Sequence, residues 1–354
     1  MARLCCTLLF PSLLLLGVAL GGPAGCGDTG EGSSHNADAA APPQPIDVTG
    51  PEGRIDFTYH LSLADQDPTG QVRTYSVALG ALPAGLALAP DGTVSGTPTG
   101  SGVNEIEVWG DGACGDSSCR LVMHLTIKVL PVILLSGYGP FAGVPENPSW
   151  AGVAPLHEEL IGGYDVRTIE LTVTWDGAWA AYELEYERLQ PAIAIAAGVA
   201  MGETVIRLES RAANYAEGED VDGVVKDEPI EAVGVWRDTR LPLADLLELL
   251  DGQGYPVAIS DNAGTYLCNY LFYLLMRHIE LEPASSNTIG GFVHVPGENV
   301  VSIPDMTDAW ELMLGYLTTY RDSLQRKERR TGDRPWQATV HHPPRYLYAR
   351  AQPR

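Results

Sequence analysis

Basic side chains are the first shortage. The 354 residues carry 22 Lys and Arg against 45 Asp and Glu, a formal charge of −23. A phosphate backbone rewards the opposite balance, so nucleic-acid binding is not expected. The same charge argues against electrostatic docking on an anionic bilayer. Charge of either sign is also thin, at 19% of the chain, while 39 Gly and 26 Pro imply a loop-rich region beside a packed one. Long apolar runs are missing beyond the N-terminus, where none approaches the ~20 residues of a spanning helix. Cysteine is sparse, six in all. What remains is a 45% apolar composition with enough Val, Leu, Ile and Tyr for a real core, and length for about two domains.

The N-terminus is the exception. Arg3 precedes an apolar stretch from Leu4 to Leu20, followed by the small residues Gly21-Gly22-Pro23-Ala24-Gly25-Cys26. That order reads as a secretory signal over residues 1–26 rather than a structural helix. Ala24-Gly25 before Cys26 resembles a bacterial lipoprotein site, in which the cysteine is lipidated; ordinary export with a free product is the alternative. Either way an exported protein of the cell envelope is expected, touching membrane only through a lipid on Cys26. Residues 27–48, rich in Gly, Ser, Asp, Ala and Pro, read as a flexible tether.

Export bears on the other cysteines. Cys5 and Cys6 fall in the signal. Cys114 and Cys119 flank a short Gly-Asp-Ser-Ser turn and can pair as a disulfide in an oxidising compartment. Cys268 is left alone, either a buried small hydrophobe or a reactive group.

Between residues 49 and 131, short β-rich runs alternate with turn signals, for example Ile55–Leu61, Val72–Val77, Glu105–Trp109 and Leu121–Val129. This spacing predicts an all-β sandwich. After Pro131 the pattern changes. Val132–Leu135 and Ala192–Ala197 are continuous apolar runs, as strands buried on both faces should be. Helical periodicity falls at 150–160 and 178–189. Strand–helix pairs follow at 256–278 and 290–326, predicting a three-layer α/β/α domain with a mainly parallel sheet over 132–328. From 321 to the end there are nine basic and three acidic residues with four prolines, and 329–354 reads as a disordered basic tail. His341-His342 make a poor ligand set on their own, so no metal or other cofactor is expected.

The segment from Pro256 to His278 is the most informative. An apolar strand ends at Ser260, Asp261-Asn262-Ala263-Gly264 turn the chain, and an apolar helix begins with Cys268 near its first turn. Unpaired N–H groups and the positive helix end favour a thiolate there, and could hold the oxyanion of a tetrahedral intermediate. A core cysteine fits the position equally well. A thiol nucleophile needs a base and an orienting carboxylate. His294 ends an apolar strand in GGFVHVPG, and Glu209 lies just past a β-rich run in VIRLESRAAN. Each has an ordinary reading alone, as a core histidine and a solvated acid.

Together these segments resemble the pyroglutamyl-peptidase I family, cysteine peptidases that remove N-terminal pyroglutamate. The resemblance is carried by ILLSGYGPFAGVPENPS at 133–149, VIRLESRAAN at 205–214, SDNAGTYLCNYLFY at 260–273 and GFVHVP at 291–296. It implies Cys268 as nucleophile, His294 as general base and Glu209 as the residue orienting it. It also implies an apolar pocket for the lactam ring with Tyr138 and Phe141 as its aromatic pair and Val199 and Leu267 beside them. The expected substrates are peptides beginning with pyroglutamate, and a homo-oligomer is compatible with the sequence. Residues 75–102 resemble the immunoglobulin-like modules of bacterial surface proteins, implying a spacer or a weak binding module.

There are departures from the family pattern. The turn Gly198-Val199-Ala200-Met201-Gly202-Glu203 lacks the usual glutamine and arginine, and Ser210 replaces a basic residue after the glutamate. The stretch YAEGEDVDGVVKDEP after Asn214 is acidic where the family carries an arginine near the active site. A non-catalytic surface binding protein on the same scaffold is therefore the rival to the enzyme reading.

Overall fold

The computed structural model describes residues 44–113, 119–141, 143–234, 236–283 and 287–332. The stretch read as a signal, with Cys26, most of that read as a tether, Cys114 and the residues beyond 332 lie outside the described residues. Cys119 is disulfide-bonded, but the pairing with Cys114 expected from the sequence cannot be followed within them.

The first part is a β-sandwich of the immunoglobulin-like kind. Its strands are β1 (Ile46–Thr49), β2 (Tyr59–Ser62), β3 (Thr74–Leu79), β4 (Leu86–Leu88), β5 (Thr93–Gly96), β6 (Gly102–Asp111) and β7 (Arg120–Val129). One sheet runs β1-β7-β6-β3 and the other β2-β5-β4. Alternation builds the core: Leu121, Met123, Leu125 and Ile127 point inward from β7, and Ile106 and Val108 from β6. β1 moves one boundary, because its first three residues, Ile46 to Val48, lie within the stretch read as a tether. It is held there by parallel pairing with Met123–Thr126, which buries Val48.

The second part is a three-layer α/β/α domain. Its elements begin with β8 (Val132–Tyr138), α1 (Pro148–Ala151), β9 (Leu160–Ile161), β10 (Tyr164–Leu171), α2 (Trp175–Leu189) and β11 (Ile193–Val199). Next come β12 (Ile206–Glu209), β13 (Arg211–Ala212), β14 (Ala216–Glu219), β15 (Val225–Glu228) and β16 (Arg237–Asp238). The chain closes with α3 (Leu243–Gly252), β17 (Val257–Ser260), α4 (Leu267–Leu281), β18 (Ile289–Val295) and α5 (Ile303–Thr331). The central sheet has the order β17-β12-β18-β11-β8-β10-β9. Its pairs are parallel except β12–β18 and β10–β9.

Both faces of the sheet are apolar, which explains the continuous runs in the sequence. Leu134, Ala194, Ala196 and Phe292 face α2 and α4, while Ile133, Leu135, Ile193, Ile195 and Val293 face α3 and α5. Two expected elements come out differently. The helix read over 150–160 stops at Ala151, followed by a short 3-10 turn at Ala154–Leu156 and then β9. Gly152 and Pro155 disfavour continuation, and Glu158 takes a positive φ of 66°. The final helix runs to Thr331, so the first residues of the stretch read as a disordered tail are helical.

The strand read over Ile55–Leu61 begins only at Tyr59, because residues 54–57 turn toward the second domain. Ile55 is 1% exposed and belongs to the core between the sheet and α2 and α4, as does Val129. Arg54 donates to the Glu158 carbonyl at 2.7 Å and to buried Asp165 at 2.6 Å. Arg167 donates to the Ile55 carbonyl at 2.6 Å and to Asp165 at 2.8 Å. Asp165 is therefore a buried carboxylate compensated by two guanidinium groups, one from each part of the chain. Residues 132–332 alone are expected to fold but to melt about 5 °C or more below residues 44–332, since they lose the burial of Ile55 and the Arg54 pairing. Differential scanning calorimetry of the two lengths checks this, and equal melting would mean that the contacts add no stability.

Candidate active site

The site is built on the α4-facing side of the sheet. In the antiparallel β12–β18 pair, Arg207 is opposite His294 and Glu209 opposite Phe292. Residues two apart share a face, so Arg207, Glu209, His294 and Phe292 all present toward α4, with Glu209 diagonal to His294. His294 Nδ1 donates to Glu209 Oε1 at 2.8 Å. Glu209 is fully buried and His294 is 6% exposed. The Phe292 ring lies edge-on to the imidazole at 4.9 Å, fixing its plane from the side.

Cys268 arrives from above this surface. Its turn is shaped by its own polar side chains: Asn262 N donates to Ser260 Oγ at 3.2 Å and Gly264 N to Asn262 Oδ1 at 3.0 Å. Cys268 is then the second residue of α4, half-buried, among N–H groups that have no partner within the helix. Asn269, fully buried, holds α4 in place by accepting from Ala213 N at 2.7 Å and donating to the carbonyls of Ala213 and Tyr215. Beneath the thiol lies Gly198 of β11, the neighbour of His294 in the next strand. A Cβ on Gly198 would stand 2.6 Å from the Cys268 sulfur, so only glycine lets the thiol down onto the sheet.

The electrostatics follow from this packing. Burial alone would lower the His294 pKa. The charge and hydrogen bond of Cys268, followed by those of Glu209, outweigh it and carry the imidazole up to about 9. The ring therefore keeps its proton near neutral pH. Tyr138 is buried and donates to the Leu267 carbonyl at 3.0 Å, bracing the first turn of α4. Burial, reinforced by Cys268 and Tyr266, pushes its phenol well above the ordinary range, so it remains a neutral donor.

The thiol opens into a cavity of about 470 Å³. Tyr138, Phe141, Val199, Leu267 and Cys268 all line it, so the pocket residues expected from the sequence come together. Glu209 and His294 stand behind the thiol. Met201, Val173 and Tyr266 complete the apolar lining, and the acidic stretch supplies Glu219, Asp220 and Val221. That stretch folds as the β14–β15 hairpin. Asp220 accepts from the backbone N–H groups of Trp175, Asp222 and Val224 at 2.9–3.0 Å. It thus caps α2, whose own N-cap Thr174 makes no side-chain cap, and clamps the hairpin beside the cavity. Val221 N donates to the Val173 carbonyl and Trp175 Nε1 to the Val224 carbonyl, closing the same seam.

Several of these residues escaped the sequence reading. Gly198 reads in the sequence as the start of a turn, but it and Val199 still belong to β11, whose pairing with β18 continues to Val295. Asn269 directly follows Cys268, but an asparagine on an apolar helix carries no separate signal. Asp220 is one acid among many in its segment, and nothing in the sequence marks it as a cap 45 residues from the helix it serves.

A thiol, an imidazole and a carboxylate in line at one end of a doubly covered sheet define a cysteine-type hydrolase. The sequence profile of the pyroglutamyl peptidase family matches residues 131–310, and that of an Ig domain matches 40–113. A pyrrolidone-carboxylate peptidase from Halalkalibacterium halodurans is 33% identical over 196 residues, covering 52% of this chain and 97% of that protein. One from Cupriavidus pinatubonensis is 35% identical over 169 residues, covering 46% and 77%. Among solved structures, Bacillus amyloliquefaciens pyroglutamyl peptidase I superimposes with a TM-score of 0.51 at 28% identity, covering 54% of this chain and 98% of that one. Pyrrolidone carboxyl peptidase from Thermococcus litoralis gives 0.52 at 27%, covering 55% and 96%. The chain belongs to the pyroglutamyl peptidase family, and it is an enzyme of the cysteine-peptidase class.

Gly198→Ala is expected to leave the protein folded but to lift the thiol off the sheet. The reaction of Cys268 with iodoacetamide should slow about tenfold, because small displacements at a reacting centre are costly. Unchanged alkylation in the alanine variant would show that the sulfur does not rest against Gly198.

Proposed function

We propose that this enzyme removes N-terminal pyroglutamate from peptides by covalent catalysis through Cys268, His294 and Glu209. The observation that carries the reading is the continuous path from the cavity through Cys268 to His294 and Glu209, with the last bond at 2.8 Å. Pyroglutamate is a neutral lactam without a free ammonium. The aromatic and aliphatic side chains of the cavity suit such a ring, and of its two acids Asp220 is already engaged by three backbone N–H groups, which leaves only the exposed Glu219 carboxylate.

The proposed reaction begins with transfer of the Cys268 proton to His294, whose raised pKa suits it to hold that proton. The thiolate attacks the carbonyl carbon of the pyroglutamyl–peptide bond. A C–S bond forms, and the oxygen takes the negative charge beside the first-turn N–H groups of α4. The tetrahedral intermediate collapses as the C–N bond breaks, and His294 gives its proton to the departing amine. Water then attacks the thioester with His294 as base, releasing pyroglutamate and the free thiol. Glu209 holds the imidazole in one orientation and stabilises its charged form.

We further propose that the protein is exported and anchored in the cell envelope through a lipid on Cys26. The supporting features are the Leu4–Leu20 apolar stretch and the small residues before Cys26. Radiolabelled palmitate should enter the full chain expressed in bacteria and be lost in Cys26→Ala. Equal labelling of both would exclude that anchor.

The enzymatic reading is tested with a pyroglutamyl-linked chromogenic amide under reducing conditions. Wild type should release the chromophore. Cys268→Ser should retain less than about 1% of kcat/KM, His294→Ala should be comparably impaired, and Glu209→Gln should be milder. Absence of turnover by folded wild-type protein would reject the reading, and substantial activity in Cys268→Ser would remove the thiol from the mechanism.

A further inference from the structure

Arg207 is a charged group beside the site to which the proposed reaction gives no role. Its Nε lies 3.3 Å from Glu209 Oε1, the same oxygen that accepts from His294. Nη2 donates to Ser260 Oγ and to the Asn262 carbonyl, in the turn leading to Cys268. Nη1 donates to Glu203 Oε1 at 2.9 Å. The side chain is 20% exposed, whereas Glu209 is 0% exposed. One guanidinium fork therefore touches the carboxylate that serves His294 and the turn that carries the nucleophile.

We propose that Arg207 is a positioning residue for the reaction, sharing the Glu209 carboxylate with His294 and tying it to the turn that leads into the Cys268 helix. The inference rests on the catalytic roles proposed above for Cys268, His294 and Glu209. Strand register places the three groups together: Arg207 and His294 are direct partners across β12 and β18, and Glu209 is two residues along on the same face. A guanidinium is a permanent cation, while an imidazole is a switchable one. Placed on one carboxylate oxygen, the first weakens the hold of that oxygen on the second.

The other groups around the imidazole do not substitute for this effect. Cys268 approaches from α4 and favours the imidazolium. β11 brings only the uncharged Gly198 alongside His294. β17 brings Ser260 opposite Glu209, and the next charges, Asp261 and Arg211, pair with each other at 2.9 Å. Glu203 is spent on Arg207 itself. Arg207 is thus the cation that shares the Glu209 oxygen with His294, and in this proposal it opposes protonation of the imidazole through that oxygen.

The test compares wild type with Arg207→Gln and Arg207→Lys in the full chain, using the pyroglutamyl amide across pH. The wild-type alkaline limb of kcat/KM should lie near 9, where His294 gives up its proton. Arg207→Gln should move that limb up by about one pH unit, because Glu209 then belongs to His294 alone. It should also cut kcat about tenfold with KM within about twofold, because the turn is no longer tied to the carboxylate. Arg207→Lys keeps the charge without the fork, so its limb should stay at the wild-type position while kcat falls at least about fivefold. An unmoved limb in the glutamine variant, or an unchanged kcat in the lysine variant, overturns the proposal. If the glutamine variant does not fold, the kcat of the lysine variant decides. If wild type does not turn over the amide, the proposed function fails separately. The pH dependence of the His294 ring signals by NMR then decides this inference by the same expected displacement.

Discussion

The bond between Glu209 and His294 depends on one strand pair running the other way. In an all-parallel sheet the C-terminal ends of neighbouring strands gather at one edge, and functional groups emerge into the loops beyond it. Here β12 lies antiparallel to β18, so an acid at the end of β12 falls diagonal to a histidine near the end of β18 and inside the sheet. Both side chains then stand on the packed face beneath α4 rather than in a loop. Their exposure follows from this placement, 0% for Glu209 and 6% for His294. A carboxylate so deeply buried persists only with partners, and the register supplies them in Arg207 and His294.

The rest of the site is arranged to bring the thiol down onto that surface. Gly198 removes the one side chain that would keep sulfur and sheet apart, and Asn269 fixes α4 by three backbone bonds. Tyr138 braces the carbonyl of Leu267 immediately before Cys268. These contacts come from different elements and converge on the first turn of one helix. The geometry is held by elements of the scaffold rather than by a single loop, as the proposed role of Cys268 requires. The β-sandwich contributes at a distance: Ile55 fills the core on the same side of the sheet, under α2 and α4.

Much of this was legible in the sequence, and the gaps have physical causes. The switch from alternating to continuous apolar runs near Pro131 marks the change from sandwich to layered sheet, because it reflects burial on one face or two. Cys268, His294 and Glu209 are visible as a set because each sits in a segment resembling the family, and the cavity gathers Tyr138, Phe141, Val199 and Leu267 around the thiol as expected. The helix read at 150–160 fails because the apolar spacing persists across Gly152 and Pro155 while the backbone cannot follow. Residues 46–48 read as tether because a four-residue strand with one buried side chain carries almost no pattern of its own. Arg207 and Asp220 are invisible for another reason: their importance lies in partners tens of residues away, and only register or folding reveals it.

The acidic hairpin shows how a departure from the family pattern can still give a closed pocket. Read as sequence, YAEGEDVDGVVKDEP threatens the site with uncompensated charge where an arginine is expected. In the fold, half of its acids and its lysine have partners. Asp220 is consumed by three backbone N–H groups, Glu217 accepts from Thr265, and Asp227 accepts from Tyr215. Lys226 pairs with Asp176 and lies over the Tyr270 ring. What the hairpin offers the cavity includes Val221 and a backbone that accepts from Tyr266 through the Glu219 carbonyl. A neutral ring needs apolar walls and a fixed outline more than a counter-charge, and a carboxylate that caps the adjacent helix supplies the outline. Asp220 thereby fixes the acid-rich segment against the N-terminus of α2, so that the hairpin forms one side of the cavity with Val221 beside Glu219 and Asp220.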